Sequence, residues 1–134
     1  LFWHFTDQFY HTDNDRIGKV SKTTLKNVGT TALISAFTFL NADKNTATSV
    51  LSNIEKAAIS RLNEELKQSK LAINKGDSIV TQIEIIEAWK DWYQKSFATT
   101  IDMVSDKKQI QKEINSSQKL IDSISSAIIK ELKQ

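Results

Sequence analysis

The chain has 134 residues, a formal net charge of +2, no cysteine and no proline. That length suits one domain and buries roughly 68% of the unfolded surface, so a core can form without disulfides or metal. The lack of cysteine removes thiolate and zinc-knuckle chemistry, and interspersed charges without a basic stripe argue against nucleic acid as a partner.

With no proline and only Gly18, Gly29 and Gly76, few turns are enforced, which favours long helices over many short strands. The first predicted element is a short helix over residues 2–12. Phe2, Phe5 and Phe9 fall on one face, with Trp3 and Tyr10 on a flank. Asp13, Asn14 and Asp15 then make a polar turn able to cap the next helix.

The same stretch makes the only bid for chemistry. His4, Asp7, His11 and Asp15 share one helical face if the helix runs on to Asp15. Asp7 and His11, four residues apart, could chelate a metal. His4 and His11 are about 10.5 Å apart along the axis, too far for one ion, and there is no third histidine. A helix that buries its phenylalanines must present its other face to water, where His, Asp and Gln are ordinary. The solvated-face reading is therefore adopted, and no metal, cofactor or catalytic site is expected.

A second helix is predicted from about Arg16 to Leu40. Leu25, Val28, Ala32, Ser35 and Phe39 follow one stripe, and Leu33, Phe37 and Leu40 a second, so the last turns are apolar nearly all round and read as buried core. The string TTALISAFTF also admits a strand. No apolar run reaches 18 residues, so no membrane span is expected. A turn over 41–45 follows.

The third helix is predicted from about Thr46 to Lys75, with Leu51, Ile54, Ala58, Leu62, Leu66 and Ile73 on one face. Gly76 occupies the place of a left-handed C-terminal cap, and Asp77-Ser78 the next N-cap. From Ile79, the stripe Ile79, Ile83, Ile86, Trp89, Tyr93 and Phe97 marks a fourth helix. Met103, Ile110, Ile114, Ser117, Ile121, Ile124 and Ile128 mark a fifth, in a 4-3 pattern like a coiled-coil seam. A break near Ala98–Thr100, with Thr99 and Asp102 as a capping box, is preferred to one helix over 78–133.

The remaining motifs carry little. DNDRIG resembles a calcium loop at Asp13, Asp15 and Gly18, but Ile17 and Thr24 stand at ligand positions. Two S-x-x-K strings lack the companions that give that motif meaning, and no phosphate loop is present.

The expected fold is all-α: an antiparallel bundle of four long helices (16–134) preceded by a short aromatic-rich helix and capping turn (1–15), as one domain over 1–134. The expected function is a non-enzymatic interaction module that assembles with a protein partner or with itself through the N-terminal aromatics and the Ile-rich last helix. Phe2, Trp3, Phe5, Phe9, Tyr10 and Trp92 are the candidate contacts, Trp92 lying off the main stripe beside Ile85. The alternative is a ligand-binding or sensory bundle holding a small molecule among Trp89, Tyr93 and Phe97. Leucine at position 1 reads as a processed chain or a fragment of a longer one, which leaves room for a flanking membrane segment. With the absence of cysteine, it favours an exported, periplasmic or surface location.

Overall fold

A computed structural model describes residues 8–134. They are predominantly helical, with no strand among them. The four helices are α1 (Lys22–Leu40), α2 (Lys44–Asn74), α3 (Ile79–Thr99) and α4 (Lys108–Leu132), and 3-10 turns lie at Ile17–Lys19 and Thr100–Met103. The chain divides into two compact units, Leu1–Asn41 and Ala42–Gln134.

In the first unit, most of the expected helix over 2–12 lies outside the described residues. Gln8 to Asn14 form bends and turns instead of helix. His11 has a φ of 61°, the left-handed region, which stops a right-handed helix there. Thr12 closes the turn: its Oγ1 donates to the Phe9 carbonyl at 2.6 Å and its N–H to the same oxygen at 3.0 Å. His11 and Asp15 therefore do not share a continuous helical face. Helix α1 starts six residues later than the spacing suggested. Its cap is Ser21, whose Oγ accepts from the Thr24 N–H at 3.2 Å, and not Asp13 or Asp15. None of its 19 residues is buried, against the expectation that its apolar last turns form buried core.

The second unit is built on caps that the sequence shows well. Asp43 Oδ1 accepts from the Thr46 N–H at 2.8 Å and from the Thr46 hydroxyl at 2.8 Å, fixing the start of α2. These two bonds favour the carboxylate and hold its pKa below the usual aspartate value. At the other end Gly76 has a φ of 99°, and its N–H and that of Asp77 bond back to the carbonyls of Ile73 and Ala72. Ser78 then caps α3 through the Val80 N–H. The break after Thr99 is present, but Thr99 and Asp102 form no capping box. The chain tightens into the 3-10 turn, Thr99 Oγ1 donates back to Ser96, and Asp106 Oδ1 receives the Lys108 N–H.

Helices α2, α3 and α4 pack against one another in all three pairings. The core comprises Ala47, Leu51, Ala58, Leu62, Ile86, Tyr93, Phe97, Val104, Ile110, Ile114, Ile121, Ile128 and Leu132. Burying a side chain of this size stabilises by about 1.5–3 kcal/mol relative to exposure. Its spacing differs from a heptad seam. Buried positions recur at eleven residues in α2 (Ala47, Ala58, Ser69; Leu51, Leu62), in α3 (Gln82, Tyr93; Ile86, Phe97) and in α4 (Ile110, Ile121, Leu132). That period, about 3.67 residues per turn, drifts oppositely to a left-handed coiled coil. Helices α2 and α4 run in the same direction. Lys44 pairs with Glu113 near their starts, Ser117 with Glu55 midway, and Lys70 with Glu131 near their ends.

Candidate functional site: an aromatic patch clamped by Arg61

Trp89, Trp92 and Tyr93 stand at spacings of three and four on α3, so the helix turns them to neighbouring positions. Tyr93 is buried and Trp89 packs on the core, whereas Trp92 is 55% exposed. The rings meet edge to face: Trp92 lies 4.7 Å from Tyr93 at 90° and 6.1 Å from Trp89 at 73°, centroid to centroid. That geometry sets the positive edge of one ring against the negative face of another and is worth about 0.5–1.5 kcal/mol per pair.

Helix α2 holds the patch from behind. The Arg61 guanidinium carbon sits 3.9 Å from the Trp89 ring centroid, and Arg61 is ion-paired with Glu65 one turn on. Glu65 is buried apart from a small part of its side chain. Arg61 thus has its plane fixed from two sides, by a carboxylate and by an indole. Burial pushes the Tyr93 phenol above its ordinary pKa, with the Arg61 charge pulling weakly the other way, so the ring is a neutral hydrogen-bonding group at ordinary pH. Helix α4 contributes a polar edge, where Gln94 Nε2 donates to Asp122 at 2.6 Å and Gln118 Nε2 to the Gln94 carbonyl at 3.3 Å.

This arrangement can bury an apolar or cationic group against a rigid indole, but it presents no nucleophile beside a base. The expected contact Trp92 is therefore on a surface, backed by two residues that hold it. Of the other expected contacts, Phe2, Trp3 and Phe5 lie outside the described residues. Phe9 is half-buried with the Lys19 ammonium 4.8 Å above its ring, and the Tyr10 ring lies against His11 at 3.9 Å, tilted by 42°. His4 and Asp7 also lie outside the described residues, and no group of three metal-binding side chains occurs among the described ones. Neither Arg61 nor Glu65 stands out in the sequence as part of a site; their i,i+4 spacing is the one local signal that allows the pairing.

Of the trio Trp89, Tyr93 and Phe97, Phe97 is fully buried, Tyr93 is buried and Trp89 is partly buried against the core. An open groove of about 430 Å³ occurs elsewhere, between α2 and α4, lined by residues that include Leu51, Ser52, Glu55, Lys112 and Ser117 and none from α3. Within it Ser117 Oγ donates to Glu55 at 2.7 Å. Comparison with family models, curated proteins and solved structures finds no significant match to this chain, and the aromatic patch stands on its own geometry.

Proposed function

We propose that the chain is a non-enzymatic interaction module whose Ala42–Gln134 unit docks other protein through Trp92. The observation that carries this reading is an indole more than half exposed yet fixed by Tyr93, Trp89 and, through Trp89, Arg61. A preordered tryptophan loses little side-chain entropy on binding, and Trp, Tyr and Arg dominate the energetics of protein interfaces. In this reading α3 runs back between the parallel α2 and α4 in an up-down-up course, and the rigid core serves to aim the patch.

The test compares the whole chain with its Trp92→Ala variant. Proteins captured by the first and lost by the second, with unchanged circular dichroism and melting, support the docking role. Sedimentation at rising concentration tells whether the captured protein is a second copy. Identical capture by both variants, with both monomeric, would reject it.

A further inference from the structure

Helix α1 carries a surface of another kind. Leu25, Leu33, Ile34, Phe37, Phe39 and Leu40 are each more than half exposed. At about 100° per residue these side chains, with Val28, Ala32 and Ala36, cover an arc of roughly 240°. A groove in a protein reads anchors along one stripe of a helix. An arc this wide is matched by a surrounding apolar medium.

The polar side chains of α1 point the same way. On the remaining arc stand Thr24, Asn27, Thr31, Ser35 and Thr38; Lys22, Thr23, Lys26 and Thr30 fall within the apolar arc, which is free of polar side chains from Ala32 to Leu40. Thr31 Oγ1 donates to the Asn27 carbonyl at 2.8 Å and Thr38 Oγ1 to the Ile34 carbonyl at 2.9 Å. Asn41 closes the end by donating Nδ2 to the Phe37 carbonyl at 2.9 Å. These donors are spent on the helix's own backbone, as they must be where no water is at hand.

Charge supplies the third observation. Between Asp15 and Asp43 the ionisable side chains are Arg16, Lys19, Lys22 and Lys26, all basic and all before Asn27. From Asn27 to Leu40 the uncharged helix is about 20 Å long, well short of the roughly 30 Å hydrocarbon thickness. No described helix is long and apolar enough to cross a membrane.

We propose that α1 docks on the surface of an anionic lipid bilayer, with its apolar turns from Ala32 to Leu40 entering the acyl boundary and Arg16, Lys19, Lys22 and Lys26 at the level of the headgroup phosphates. Apolar burial supplies the attachment and the acid-free basic flank its preference for negative headgroups. A partner groove or a second copy would not call for that basic flank.

The experiment is cosedimentation of the whole chain with vesicles of phosphatidylcholine alone or mixed with phosphatidylserine. Binding is expected on the mixed vesicles, to weaken with added salt, and to be much lower on phosphatidylcholine. The double substitution Leu33→Glu with Phe37→Glu should lower it at least tenfold, an order-of-magnitude expectation from lost apolar burial. Lys22→Ser and Lys26→Ser should each lower it about fivefold, and only on the anionic vesicles. Trp92→Ala should leave it unchanged, which separates this surface from the aromatic patch. No binding to either vesicle by folded protein overturns the proposal, as does binding that survives the double glutamate substitution. A wild-type oligomer that the same substitution dissociates, without vesicle binding, would assign α1 to a second copy instead.

Discussion

Helices α1 and α4 show that the number of apolar residues and their spacing are separate quantities. α4 is rich in charge and serine, yet its isoleucines recur on one side, and seven of its residues are buried. α1 is the more apolar helix along its length, and none of its residues is buried. Each belongs to its own compact unit. A helix with one apolar stripe is covered by neighbours on one side, whereas a helix apolar most of the way round needs an apolar environment on several sides.

The largest test of that contrast is a pair of equal truncations. Phe97 is fully buried, and Phe97→Ala should cost about 3–5 kcal/mol, read as a large fall in the denaturant midpoint of the Ala42–Gln134 unit. Phe37→Ala in α1 should move the same midpoint by less than about 0.5 kcal/mol. Comparable losses would mean that α1 shares the core after all.

A smaller effect of opposite sign is expected within the packed unit. Ser69 and Ser125 bury hydroxyls that have no hydrogen-bond partner among the described residues. Replacing either by alanine removes the cost of desolvating that group, so each variant should gain about 1 kcal/mol. A loss instead would show that the hydroxyl is satisfied in solution. Arg61→Ala should cost roughly 1–2 kcal/mol and loosen Trp92, seen as a changed near-ultraviolet dichroism, because it frees Trp89 and leaves Glu65 unpaired.

The smallest effect is a pH dependence. The Asp43 carboxyl titrates below its usual value because it accepts from Thr46, and the Glu64 carboxyl does so because Gln68 and Lys67 face it. A depressed folded-state pKa gives stability that is present above the unfolded value and lost as the pH falls through the folded one. Acid should therefore weaken α2 from about pH 4 downward. Asp43→Asn keeps an accepting oxygen but cannot titrate, so its acid limb should be shallower than that of the wild type. An unchanged limb would remove Asp43 from the account.

Much of the second unit was legible because its signals are local. Gly76 and Ser78 mark a helix end and a helix start in three residues, and Leu51, Ala58, Leu62, Ile86, Phe97, Ile110, Ile114, Ile121 and Ile128 fall where periodicity puts them. The failures have physical causes too. A wheel drawn through His11 presumes right-handed backbone, and the positive φ there depends on a turn closed by Thr12 that periodicity does not register. The polar turn at Asp13–Asp15 promises a cap, but the helix begins after Ser21, whose Oγ accepts from the Thr24 N–H. Of the aromatic patch, the sequence showed Trp92 leaving the stripe. It could not show Arg61 beneath Trp89, since that contact joins two helices through their packing.

The shared direction of α2 and α4 has an electrical consequence. Peptide dipoles within a helix sum to about half a positive charge at its start and half a negative charge at its end. Two helices lying side by side in the same sense stack these poles instead of cancelling them. The side chains answer at both poles: Asp43 and Asp106 accept from the first amides of α2 and α4, while Lys75, Lys130 and Lys133 stand at or just inside their ends. The pair behaves as one thick dipole with matched counter-charges built in, so exchanging acid for base at its two poles should fray α2 and α4 together without disturbing a single buried side chain.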